Sequence, residues 1–232
     1  MTRLIPLFAL LISSLAIADV RDQQFPVSAM LSAPFPTEIV AADDTARLAF
    51  VLNDQGVRNI WIAAGPDYAA RQVTAYAGDD GIGLSNLAFL PGGDAIVYVR
   101  GGSPNADGEL PNPASLPEGG EYAIYVVPVA GGDARKLDDG SGAAIHPSGD
   151  RLVYNKQGKV WQVALDDPEA EPAVLFGVRG SVGDLAWSPH GERLLFSSNR
   201  GTHSLIGVWE ADGEDGNIRW LSPSLDRDVS PT

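Results

Sequence analysis

No cysteine occurs anywhere in the 232 residues. That excludes disulfides, thiolate metal centres, cysteine nucleophiles and lipid attachment through sulfur. Basic residues are scarce: 16 Lys and Arg stand against 30 Asp and Glu, a formal charge of −14. A nucleic-acid backbone is engaged by clustered Lys and Arg, so that class of partner is excluded. Only three histidines are present, which leaves little material for a metal centre. Beyond residue 18 no apolar run is long enough to cross a membrane, and no 3.6-residue period marks an amphipathic helix. What is plentiful is turn-forming: 26 Gly and 17 Pro. That share is above average yet below that of disordered low-complexity chains. With 44% hydrophobic residues, the chain can build a core.

The first 18 residues read as an export signal. Arg3 supplies a positive start, Leu4 to Ile17 is largely apolar, and Ala16-Ile17-Ala18 offers small side chains at a cleavage site. The run is shorter than the roughly 20 residues of a membrane-spanning helix. The expectation is a signal peptide at 1–18, cut after Ala18, and a periplasmic or secreted product of residues 19–232. An uncleaved anchor is the alternative.

The rest of the chain repeats. Phe89-Leu90-Pro91-Gly92-Gly93-Asp94-Ala95-Ile96-Val97-Tyr98 returns as Ile145-His146-Pro147-Ser148-Gly149-Asp150-Arg151-Leu152-Val153-Tyr154. It returns again as Trp187-Ser188-Pro189-His190-Gly191-Glu192-Arg193-Leu194-Leu195-Phe196. A degenerate copy runs from Ala41 to Phe50, with Asp43 for Pro and Thr45 for Gly. Pro presets the first turn dihedral and Gly accepts a positive φ, so each copy predicts a tight hairpin leading into a strand. Two more strand-like runs follow each copy: Asn59–Ile62 and Arg71–Thr74, Tyr122–Val127 and Ala134–Leu137, Val160–Val163 and Ala173–Phe176, Ile206–Trp209 and Ile218–Leu221. Four short strands per unit predict an all-β fold, a β-propeller of four-stranded antiparallel blades.

Four repeats are expected, at about 34–80, 81–140, 141–180 and 181–228. The stretch from Gly101 to Gly120 reads as a loop inserted into the second. Stepping 42 residues on from Pro189, as Pro189 itself follows Pro147, reaches Val229-Ser230-Pro231-Thr232, so a fifth repeat is expected to begin at 229. About four blades then make an incomplete ring, with two open faces and marginal stability in isolation.

Aligned in this way, the chain resembles the N-terminal propeller of the prolyl oligopeptidase family of serine peptidases, close to exported dipeptidyl-peptidase-like bacterial members. The residues that carry the resemblance are Asp184-Leu185-Ala186-Trp187-Ser188-Pro189-His190-Gly191, Phe196-Ser197-Ser198-Asn199-Arg200-Gly201, His203 to Val208, and Pro223-Ser224-Leu225-Asp226-Arg227-Asp228. His190 and His146 depart from the usual Asp and Ser of such turns. The Trp-Ser-Pro-x-Gly unit also occurs in TolB-like propellers. The resemblance implies a propeller that limits peptide access to an α/β-hydrolase domain absent from this chain. The alternative is a stand-alone TolB-like exported propeller that binds a protein partner through its channel or loops.

No catalytic, cofactor or metal residue is assigned. The nearest approach to a nucleophile elbow is Gly101-Gly102-Ser103-Pro104-Asn105, which lacks the final Gly and its strand-turn-helix context. His146 and His190 occupy corresponding turns, expected to be exposed and to point to different sectors of the ring; His203 follows the turn at Gly201. None has ligand spacing. Asn105-Ala106-Asp107-Gly108-Glu109 and Asp212-Gly213-Glu214-Asp215-Gly216 look faintly like calcium loops but lack the required order, so hairpin tips are the expectation. Trp61, Trp161 and Trp209 lie on third strands and predict inter-blade packing, and Trp187 a core position. A small complete enzyme working through His and carboxylates is the third and weakest reading.

Overall fold

A computed structural model describes residues 27–211, 216–222 and 225–228. The proposed signal peptide, the Asp212–Asp215 stretch, Pro223-Ser224 and the start of a fifth repeat lie outside the described residues. Two units are distinguished, residues 1–33 and 34–232. Of the first, a short helix α1 (Val27–Leu31) is described. Among the described residues no helix is long and apolar enough to cross a membrane.

The second unit is a β-propeller arc of four antiparallel blades, each four strands in sequence order. Blade one holds β1 (Phe35–Ala41), β2 (Arg47–Asp54), β3 (Val57–Ala64) and β4 (Ala69–Gln72). Blade two holds β5 (Leu84–Phe89), β6 (Ala95–Gly101), β7 (Tyr122–Pro128) and β8 (Arg135–Asp139). Blade three holds β9 (Ser141–Ile145), β10 (Arg151–Lys156), β11 (Lys159–Ala164) and β12 (Ala173–Phe176). Blade four holds β13 (Ser181–Trp187), β14 (Arg193–Asn199), β15 (Ser204–Glu210) and β16 (Asn217–Trp220). One expected strand is displaced: β4 ends before Val73 and Thr74. The reason is Asn59, whose buried side chain accepts from Thr74 Oγ1 and Tyr76 N–H at 2.9 and 2.8 Å, replacing ladder bonds with side-chain ones.

The alternation of the second strands explains the assembly, because successive side chains leave a strand on opposite faces. One face of each blade presents an aliphatic–aromatic pair. These pairs are Leu48/Phe50, Ile96/Tyr98, Leu152/Tyr154 and Leu194/Phe196. The other face presents smaller groups such as Ala49/Val51, Val97/Val99 and Val153. Ile96 and Tyr98 of blade two join Ala49, Val51, Ile60 and Ile62 of blade one in one cluster. Leu152 and Tyr154 join Val97, Val99 and Ile124 in the next. Leu194 and Phe196 join Val153, Val160 and Phe176 in the third. Each leading face therefore packs on the trailing face of the blade before it. First strands follow suit: β1 packs on β5, β5 on β9 and β9 on β13, with no comparable packing of β13 on β1 among the described residues. The arc is open.

A feature of the first strands was not expected. Glu38, Asn86, Gly142 and Asp184 all take a left-handed conformation, with φ of 54°, 52°, 61° and 50°. Each lies five residues before the turn position held by Asp43, Pro91, Pro147 or Pro189, and each sits in a break of strand register. These are β-bulges repeated in every innermost strand. The bulge bends the chain and turns backbone donors sideways: Asn86 N–H donates to Glu38 Oε2 of the neighbouring blade at 2.9 Å.

Candidate functional site

The four hairpin turns supply the site. In blades two, three and four the turn closes by an N–H of Gly93, Gly149 or Gly191 donating to the carbonyl three residues back, at 2.8, 2.8 and 2.9 Å. Those glycines have φ of 69°, 76° and 73°, the region that an L side chain rarely adopts. The expectation that corresponding turns point to separate sectors is corrected. They converge on one cavity of about 660 Å³, lined from all four blades. The innermost strands pack side by side, so the turns that leave their ends are brought together.

Pro91, Pro147 and Pro189 line this cavity with Phe89, Ile145 and Trp187, and Asp43 and Asp44 border it on the blade-one side. Both of those aspartates are exposed. The lining is mixed, polar and apolar in nearly equal measure, with Asp43 and Asp44 on one side. Trp187 is correspondingly not a plain core residue: it is half-buried, lines the cavity and donates from Nε1 to the Ala144 carbonyl at 3.2 Å.

His146 also departs from expectation. It is 7% exposed, not solvated. Its Nδ1 accepts from Ser148 N–H at 3.2 Å, and its Nε2 lies 3.1 Å from the Gly191 carbonyl of the next blade. Arg151 Nη2, a donor only, also lies 2.9 Å from Nε2, so this nitrogen has a donor and an acceptor beside it. The Trp187 ring meets it edge-on, with centroids 4.8 Å apart. His146 therefore joins two turns. A side chain at Gly191 would collide with it, since a Cβ there lies 2.1 Å from Nε2. His190 is exposed at a turn tip, and His203 is half-buried with Nδ1 3.2 Å from Thr202 Oγ1. The three are not brought together as one site. Among the described residues no group of three His, Asp or Glu side chains converges as a metal site.

Ser103 is exposed in the inserted loop, and its hydroxyl donates to Tyr122 Oη at 3.2 Å. Asn105 Oδ1 accepts from the N–H groups of Asp107 and Glu109 at 3.0 and 2.9 Å, so this loop is held by its own side chain. Trp209 stacks on Phe176 of blade three, with centroids 6.0 Å apart. Trp161 packs at the interface of blades two and three. Trp61 is half-buried on the open face of blade one. Sequence reasoning missed the convergence of the turns, and with it Asp43, Asp44 and Phe89. The only signal was that the degenerate first copy has Asp43 where the others have Pro, followed by Asp44.

Two polar networks tie blades together away from the cavity. Tyr154 Oη donates to Asp138 of the preceding blade, and Lys156 Nζ lies 2.7 Å from both of that carboxylate's oxygens. Burial alone pushes the Asp138 carboxyl up, but the bonds from Lys156 and Tyr154 outweigh it and hold the group below its ordinary value. Tyr98 Oη pairs with Tyr76 Oη at 2.7 Å, and burial first, then this bond, pushes the Tyr98 phenol well above its usual range.

No family model matches this chain, and no curated protein does. Solved structures do share its fold. A putative TolB from Agrobacterium tumefaciens is 18% identical, with a TM-score of 0.53 over 82% of this chain and 62% of that one. A puromycin-hydrolyzing peptidase of Mycobacterium tuberculosis is 17% identical, with a TM-score of 0.56 over 83% of this chain and 31% of that one. Prolyl oligopeptidase B from Galerina marginata is 16% identical, with a TM-score of 0.55 over 82% of this chain and 30% of that one. The chain thus spans about three fifths of the TolB structure and under a third of each peptidase. At these identities the likeness establishes the propeller fold.

Proposed function

We propose that the chain is the propeller portion of an exported serine peptidase, admitting peptides toward a hydrolase domain that this chain does not contain. The observation that carries the reading is the convergence of four turns on one cavity. Its volume suits a short peptide segment. Proline and aromatic surfaces pack an extended backbone with little ordering cost, and Asp43 and Asp44 suit a protonated amino terminus. The fold shared with two peptidases supports the same reading.

Titration calorimetry of the full chain with a short proline-containing peptide tests it. The free-amine peptide is expected to bind more tightly than its acetylated form. An Asp43→Asn/Asp44→Asn variant should weaken the first by about fivefold, the effect of losing about 1 kcal/mol of exposed charge attraction, and leave the second unchanged. Equal binding of both peptides by both proteins would sink it. Export rests on residues 1–18, and amino-terminal sequencing of protein from an exporting host should begin at Asp19. A start at Met1 contradicts it.

A second reading, a stand-alone TolB-like propeller that takes a protein partner at the same cavity, is favoured by the larger share of the TolB structure that the chain spans. The DNA after the Thr232 codon separates the two. A downstream Gly-x-Ser-x-Gly in a strand-turn-helix context supports the peptidase; its absence supports the partner-binding propeller.

A further inference from the structure

The two ends of the arc carry complementary faces. Ile96, Leu152 and Leu194 are each 0% exposed because each presses on a preceding blade. Leu48 holds the same register position in blade one and is 36% exposed. Tyr98, Tyr154 and Phe196 are likewise 0% exposed, whereas Phe50 is only half-buried, beside a half-buried Trp61. Blade one therefore displays the aliphatic–aromatic pair that every other blade uses for docking, with no preceding blade among the described residues.

Blade four displays the other half of the joint. Leu195 and Ile206 are half-buried, where their counterparts Ala49, Val97 and Val153, and Ile60, Ile124 and Val160, are 0 or 1% exposed. Val208 is buried beside the Arg193–Glu210–Arg219 ion pairs at the sheet's edge. Arg193 holds the register position of Arg47, and Arg47 Nη1 donates across the first interface to the Gly93 carbonyl at 2.6 Å. The counterpart of Gly93 in blade one is Thr45. A blade four seated before a blade one thus brings an Arg to the carbonyl of Thr45 by a contact already used inside the arc.

Resting on the second reading above, that of a stand-alone propeller, we infer that a second copy of this chain covers both faces. Blade four of each copy docks on blade one of the other, and two arcs close into an eight-bladed ring with twofold symmetry. A copy is the occupant that supplies both complementary faces at once. Eight blades lie within the range that propellers adopt. A face of four strands, each about six residues long, covers about 400 Å². Two joints then bury about 1,600 Å², the size of a standard stable interface.

Light scattering on the full chain at micromolar concentration tests this. A dimer of twice the 24.4 kDa chain is expected. Phe50→Asp and Leu195→Asp should each give a monomer with an unchanged far-ultraviolet circular dichroism spectrum. Mixing the two variants should restore a heterodimer through the one joint left with wild-type residues on both sides, which only folded subunits can form. A wild-type monomer overturns the inference and points instead to blades supplied by a longer polypeptide. A dimer broken by Phe50→Asp alone overturns it in favour of two leading faces packed together. Open-ended oligomers overturn ring closure.

Discussion

Phe196→Ala is expected to lower the free energy of unfolding by about 3–5 kcal/mol, the range for deleting a fully buried aromatic ring. The ring is 0% exposed. Its centroid lies 5.0 Å from that of Phe176 in the preceding blade and 5.6 Å from that of Trp220 in its own. Beneath it Gly207 leaves the space the ring fills, since a Cβ there would lie 2.5 Å from Phe196 Cζ. Alanine leaves a cavity that a glycine cannot close from below. Phe196→Leu keeps much of the volume and should cost about 1.5 kcal/mol or less. Urea unfolding checks both: the midpoint should fall in that order with an unchanged slope. An alanine variant as stable as wild type would mean that the interface of blades three and four is not built on this ring.

Asp138→Ala is expected to cost about 3 kcal/mol, the low end for breaking a buried charged pair, because Lys156 keeps some contact with water. Side-chain exposure at the pair is 23% for Lys156 and 15% for Asp138. The substitution strands the ammonium and the Tyr154 hydroxyl together. The same site sets an acid limit. Its carboxyl is held below the ordinary value in the folded protein. It therefore contributes stability that is fully present above the unfolded carboxylate value of about 4 and is lost as pH falls through the folded value. Wild type should lose stability below about pH 4, and Asp138→Asn should flatten that slope. Chemical denaturation at a series of pH values reads the difference, and parallel curves for the two proteins would refute the assignment.

Much of the fold was legible because one pattern did several jobs. Pro91, Pro147 and Pro189 mark turns, the glycines two residues on complete them, and the alternating residues after them declare both blade faces. The repeat also located the degenerate first copy, where Arg47 to Phe50 keeps the strand without the turn residues. What was hidden is what depends on the third dimension. The convergence of turns is a property of how first strands pack, which no single copy states. His146 looked solvated because a histidine at a turn usually is, yet the Gly191 carbonyl of the next blade captures it. The bulges left a faint trace in Asn86, Gly142 and Asp184, residue types that tolerate the left-handed region. Glu38 gave no such hint. Thr74 falls outside the strand expected over Arg71–Thr74; its hydroxyl donates to the amide oxygen of Asn59, fifteen residues earlier.

The three repeated joints have a consequence for cooperativity. Among the described residues, blades two and three each have neighbours on both sides, while blades one and four have one each. In such a linear array stability is close to a sum of unit terms and nearest-neighbour terms. The terminal units then lack one coupling term each, and fluctuations that open the protein begin there and travel inward. Closing the array into a circle removes the termini in the energetic sense: every unit gains the coupling it lacked, and no blade remains where unravelling can start.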